Sequence, residues 1–279
     1  MAGHESFLVL NRFRWLKLAV VLCVAVVAAY MFYQPLGGHN GGTILGYGLG
    51  SLGLLLILWL AWLGVKKRGF SGGTHKMRGW TSAHVYLGLS LTVVATAHTG
   101  LEFGWNVHTL GYTLMMLVIL SGIFGIMVYA KNPAKMSANM NGASAVVLRS
   151  EMSDIDARLA RLVQRLPDSF AEAARASLDG TIIGGNFMRL LSGSNSSCGS
   201  AKGRDIATLA AKSLSDETQR EASDEFIEAL TRKAEIAAIL RRDLKLKAVM
   251  DAWLFLHVPL TIGLIATLTA HVIIVFFFW

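Results

Sequence analysis

Five stretches of this chain are apolar for about 20 residues each, the length an α-helix needs to cross a bilayer. They run roughly over 13–32, 43–65, 80–101, 107–130 and 249–278. The rest of the composition points the same way: across 279 residues, 53% are hydrophobic and only 16% charged, which is not the make-up of a soluble domain. The expected fold is all-α, an integral membrane protein with five transmembrane helices.

Arg12, Arg14 and Lys17 cluster at the start of the first run, the arrangement of a signal peptide. The run is long and no small-x-small cleavage site closes it, so an uncleaved first helix is expected. Short loops rich in Lys and Arg stay on the cytoplasmic side. The connection between the second and third runs carries Lys66, Lys67, Arg68, Lys76 and Arg78, whereas "QPLGGHNGG", "EFGWN" and the carboxyl end have neither residue type. This places the amino terminus in the cytoplasm and the carboxyl terminus in the periplasm of a bacterial inner membrane. The net charge of +8 is then accounted for by cytoplasmic flanks facing lipid head groups, with no nucleic-acid partner. Cys23 and Cys198 stand at no disulfide or metal-binding spacing.

Four segments follow: an amino-terminal helix (1–37), three membrane helices (38–130), a cytoplasmic helical insertion (131–247) and a last membrane helix (248–279). In the insertion, Ile155, Leu159, Leu162 and Leu166 recur at helical spacing until Pro167 interrupts them. A second helix is expected to start near Ser215, to carry Phe226, Leu230, Ile236 and Leu240 on one stripe, and to run on into the fifth apolar run. Between them, "GGNFMRLLSGSNSSCGSAKG" reads as a flexible or partner-docking loop. The string "GLGSLG" at residues 48–53 matches a dinucleotide-binding pattern, but it lies inside an apolar helix with no strand before it, so it is set aside.

The chemistry is carried by histidines. His84 and His98 stand fourteen residues apart in the third run, and His257 and His271 repeat the interval in the fifth. Fourteen residues are nearly four helical turns, about 21 Å, so each pair projects from one face at two depths. The two runs share a direction, which sets His84 opposite His257 near the cytoplasmic side and His98 opposite His271 near the outer side. Ionisable groups in hydrocarbon are costly and usually functional. Neutral imidazole is a common axial ligand of haem iron, and two facing histidines fill both axial positions. All four histidines then serve two stacked haem b groups as iron ligands. Zinc gathers its ligands around one ion, which this separation forbids.

The intervening runs carry a matching pattern. Gly50 and Gly64, and Gly111 and Gly125, are also fourteen apart, and in antiparallel helices they fall at the same two levels. Glycine lets a flat macrocycle approach the backbone closely, although glycines also promote helix packing in membranes.

Taken together, runs two to five resemble the four-helix, two-haem core of cytochrome b from quinol oxidoreductases. That family ligates haem from its second and fourth helices and carries paired glycines on its first and third. The resemblance assigns His84, His98, His257 and His271 as ligands and Gly50, Gly64, Gly111 and Gly125 as haem contacts. It covers about 110 residues as a pattern of spacing. The later helices and the P-E-W quinol motif of the family have no counterpart here, nor do the first helix and the insertion of this chain have one in the family. The chain is also similar to the membrane domains of ferric reductases and NADPH oxidases, whose flavin and nicotinamide domain would have to be a separate subunit.

Secondary candidates surround this core. His108 and Glu102, on the outer side, are candidates for a quinone site, and Arg78 for a haem propionate contact beside Lys76, Lys245 and Lys247. The expected function is electron transfer across the membrane by a di-haem subunit of an oxidoreductase complex. The expected partners are a cytoplasmic flavoprotein or iron-sulfur subunit and a quinone or outer cytochrome, with either direction of flow. The competing reading is a non-haem scaffold or assembly protein whose histidines serve helix packing or proton conduction.

Overall fold

The computed structural model describes residues 7–69, 74–140, 142–192 and 198–277. It is 84% helix, with no strand among the described residues. In chain order the helices are α1 (Leu10–Phe32), α2 (Ile44–Gly69), α3 (Thr74–Thr99), α4 (Val107–Asn139), α5 (Ala145–Leu162), α6 (Asp168–Gly180), α7 (Phe187–Ser192), α8 (Gly199–Ala211) and α9 (Glu217–Phe277). The chain divides into two compact units, residues 1–127 with 253–279, and residues 128–252. The segment expected at 131–247 lies within the second.

Among the described residues four helices are long and apolar enough to cross a membrane: α1, the Ile44–Lys66 part of α2, α4 and α9. The third run, expected as a span, is the full 26-residue helix α3, but it is not among these four. Its packing explains its composition. Ser82, Ala83, Leu87, Ser90, Leu91 and Val94 of α3 are all buried, because α1 and α2 both lie against it. A helix sheathed by protein need not be oily all round: Ser90 Oγ donates to its own helix at the Leu87 carbonyl, 2.7 Å away, and Ser82 Oγ is buried without a partner among the described residues.

In the first unit, Ile57 and Leu60 of α2, Leu87 and Leu91 of α3, Met115 of α4 and Leu264 of α9 form one apolar cluster. Val26 of α1 joins Leu49 and Val94 in a second. The Tyr86 hydroxyl donates to the Leu8 carbonyl at 2.8 Å, tying the start of α1 to α3. Asn11, Arg12 and Phe13 have positive φ (52°, 53° and 61°), a left-handed turn ahead of the regular part of α1 that costs about 1–2 kcal/mol per residue. At the other end, His39 Nε2 bridges the Tyr30 and Tyr33 carbonyls at 2.8 and 2.7 Å while its ring stacks on Tyr30. His39 thus caps α1, where terminal carbonyls lack partners. The turn after α3 passes under this segment. Gly100 has a φ of +60°, and a side chain there would strike the His39 carbonyl.

In the second unit, the stripe expected at 155–166 forms α5 and a short 3-10 turn, and Pro167 precedes α6. Phe170 of α6 and Phe226 of α9 meet edge to face at 5.6 Å in a core with Leu159, Ala207 and Leu230. A second cluster joins Leu148 and Met152 of α5 to Ile236, Ala237 and Leu240 of α9. Lys233 is buried beside Asp156 of α5, Nζ to Oδ1 2.5 Å, with the Ser177 carbonyl of α6 at 3.4 Å. On the surface, the hydrogen bond from Arg232 to Glu151 pushes the guanidinium pKa up and keeps it charged.

The loop expected over 184–203 is corrected in part. Phe187–Ser192 is helical and Gly199–Gly203 opens α8, while 193–197 lie outside the described residues. Gly199 and Gly203 serve a close helix crossing. A Cβ on Gly203 would stand 2.5 Å from the Ala173 carbonyl of α6, and one on Gly199 would strike the carbonyl of Ala176. The buried hydroxyls of Ser177 and Ser200, 3.1 Å apart, bond across the same crossing.

Candidate functional site: four histidines at two levels

Each histidine is placed by the helix opposite. His84 and His98 of α3 face α2: Nδ1 of His84 lies 3.2 Å from the Leu60 carbonyl, and Nδ1 of His98 lies 2.8 Å from the Gly46 carbonyl. Leu60 and Gly46 are themselves fourteen residues apart, so antiparallel α2 offers one acceptor at each level of α3. A helical carbonyl keeps a second lone pair beyond its backbone bond, and that lone pair receives the imidazole. Since a carbonyl only accepts, the proton of each ring sits on Nδ1 and the free lone pair on Nε2.

His257 of α9 reaches the same state by another route. Its Nδ1 lies 2.7 Å from Ser121 Oγ of α4, and that hydroxyl donates its own proton to the Val118 carbonyl at 2.8 Å. Both contacts are made at once when the Ser121 proton lies on the Val118 side and His257 donates from Nδ1, the tautomer that leaves its Nε2 lone pair free. His271 differs, for its Nδ1 is buried with no partner among the described residues.

The level of His98 brings three rings together. His98 and His271 stand 6.2 Å apart, centroid to centroid, with planes at 78°. His108, exposed in the first turn of α4, meets His271 edge-on at 4.3 Å. His257 is stacked under Trp253 at 5.0 Å and 27°. Trp253 in turn donates from Nε1 to the Ser121 carbonyl at 2.6 Å.

The four sequence-selected glycines have separate surroundings. A Cβ on Gly50 would come within 2.7 Å of His98 Cε1, and one on Gly125 would collide with the indole of Trp253. Gly111 has room for ordinary contact with Thr267 at 3.6 Å, and Gly64 faces open space. Arg78 is half-buried near the start of α3, six residues or about 9 Å of helix from His84. Glu102 is exposed in the α3–α4 connection.

Among the described residues no three His, Cys, Asp or Glu side chains gather where they would hold a metal ion together. Comparisons with protein-family models, curated proteins and solved structures give no match. The site must therefore be read from its own chemistry, which is a set of imidazole pairs.

That chemistry fits a group ligated from two sides. A ring spacing near 6 Å is about what two nitrogens on one iron require, with metal–nitrogen bonds of about 2 Å. Histidine ligands ordinarily donate their second N–H to a carbonyl or hydroxyl, which fixes tautomer and raises basicity. His84, His98 and His257 do so here. Nothing in sequence marks Leu60, Gly46, Ser121 or Trp253 for this role. Ser121 alone left a trace, as a hydroxyl in an apolar helix.

Proposed function

We propose that the chain is the membrane subunit of an oxidoreductase complex, in which His84 with His257 and His98 with His271 each bind one haem b. The observation carrying this reading is the common tautomer: three of the four imidazoles, spread over both levels, hold Nδ1–H on a neighbouring helix and present Nε2 as a lone pair. A packing role accounts for the Nδ1 bonds but gives no reason for histidine pairs at two levels fourteen residues apart on both α3 and α9. When bound, haem supplies one-electron chemistry between ferric and ferrous iron.

The chain's own residues do the rest. α3 and α9 hold the two pairs about 21 Å apart along each helix, across most of a bilayer about 30 Å thick. α3 completes a set of five membrane helices, with α1 and α2 keeping lipid from its flanks. Arg78 stands on the inner side for a propionate carboxylate. His108, against His271, lines the outer side, where a quinone or an outer cytochrome would exchange electrons. The 131–247 segment is the cytoplasmic docking surface for a flavoprotein or iron-sulfur donor, in a bacterial inner membrane with the amino terminus inside.

The test is the absorption spectrum of the purified full-length protein before and after dithionite, with the pyridine haemochrome to count haem. Two b-type haems per chain are expected, falling to one in His98→Ala or His271→Ala and likewise in His84→Ala or His257→Ala. A protein that folds in detergent with no b-type α band refutes the reading in favour of a helix-packing or proton-conducting scaffold.

A further inference from the structure

Of the four paired histidines, His257 is the one whose Nδ1 partner among the described residues is a side chain, and it is enclosed on a second side as well. Three features of α4 converge on it. The Ser121 hydroxyl, its proton engaged by Val118, accepts from His257 Nδ1 at 2.7 Å. The Ser121 carbonyl receives the indole N–H of Trp253 at 2.6 Å, which lays that ring nearly parallel to the imidazole, 27° off, at 5.0 Å. One turn on, Gly125 leaves the space the indole occupies, since any Cβ there would overlap it. Trp253 and His257 are one turn apart on α9, and Ser121 and Gly125 one turn apart on α4. The two helices thus interlock as a clamp around one imidazole.

A clamp of this kind does two things. The hydroxyl acceptor draws on the Nδ1 proton and makes Nε2 a stronger electron donor. The flat indole and the hydrogen bond together leave the ring a single plane. Neither device exists at His271, whose Nδ1 is buried without a partner among the described residues.

We propose that Ser121 and Trp253 are positioning residues for His257, fixing its tautomer and ring plane, and that they hold the iron it binds at a lower reduction potential than an unclamped imidazole would. The proposal rests on the di-haem reading. The equilibrium concerned is one-electron reduction of ferric to ferrous iron, with no bond broken and no proton moved. A ligand that donates more strongly favours the ferric form, so removing the acceptor raises the potential of that iron alone.

The experiment is a potentiometric titration of the α band, with low-spin electron paramagnetic resonance, on the purified full-length protein and on Ser121→Ala, Ser121→Thr and Trp253→Phe. In Ser121→Ala one of the two components is expected to rise by about tenfold in its reduction equilibrium, which for one electron is about 59 mV, while the other stays. Ser121→Thr, which keeps the hydroxyl, should restore it. Trp253→Phe, which keeps a ring and loses the N–H, should broaden one low-spin signal. Loss of one component in Ser121→Ala with recovery in Ser121→Thr also supports the role. Unchanged potentials in Ser121→Ala, or equal shifts of both components, overturn it. A wild-type protein without b-type haem would instead overturn the reading beneath it.

Discussion

Removing Asp156 should harm the second unit far more than removing its partner Lys233. The side chains are 33% and 2% exposed, so water reaches the carboxylate but hardly the ammonium. In Asp156→Ala the ammonium stays buried with the Ser177 carbonyl, 3.4 Å away, as its remaining hydrogen-bond partner among the described residues. Stranding one member of a buried pair typically costs 3–5 kcal/mol, and the partial exposure of Asp156 places this case at the low end, about 3 kcal/mol. In Lys233→Met the stranded carboxylate can turn to solvent while the methionine fills the stem's space, so about 1 kcal/mol is expected. The 2 kcal/mol difference is about 30-fold in an opening equilibrium. Hydrogen–deuterium exchange of the full-length protein in detergent, read at the amides of 229–237 in α9, measures it directly. The double variant should return to the Lys233→Met value. Equal loss of protection in the two single variants would refute the reasoning, because it would mean that the ammonium is not the costly group.

Gly203→Ala puts a methyl against the Ala173 carbonyl, a backbone atom that cannot turn aside, so about 1–3 kcal/mol of destabilisation is expected in thermal unfolding. Gly125→Ala should lower the melting temperature by displacing Trp253, whereas Gly64→Ala meets nothing within 4 Å and gains up to about 1 kcal/mol of helix propensity. Similar melting temperatures for these two variants would contradict the clamp around His257. Burial pushes the Asp243 carboxyl pKa up from 3.8, with Lys247 pulling the other way, and its Oδ1 is buried without a partner among the described residues. The folded state thus binds the proton more tightly, so this group's contribution is fully present below the unfolded pKa and is lost as pH rises through the folded one. Unfolding measured from pH 3 to 7 should lose that decline in Asp243→Asn.

The residues show unevenly how much of this could be read in advance. The all-helical fold and the membrane character of the apolar runs follow from local hydropathy, and Pro167 marked the break between α5 and α6 by its missing N–H. The continuation of the insertion's second helix into the last apolar run was equally legible, since no breaker interrupts it before Pro259 and α9 runs through both. Misreading began where composition and packing part company. Gly199 and Gly203 look like loop residues in a string of Gly and Ser, yet they are the small face of a helix crossing. α3 falls short of lipid-like hydropathy because α1 and α2 cover it.

By itself, the sequence determined that the apolar runs are helices and that a histidine pair fourteen residues apart stands on each of two of them, because helical rise and hydropathy are properties of neighbouring residues. Only the tertiary structure decided what each imidazole does with its proton. The acceptors for His84 and His98 are main-chain carbonyls of Leu60 and Gly46, and every residue has a carbonyl, so no side-chain pattern announces them. The clamp on His257 depends on residues more than 130 positions apart in the chain, and it came into view only when α4 and α9 were packed together.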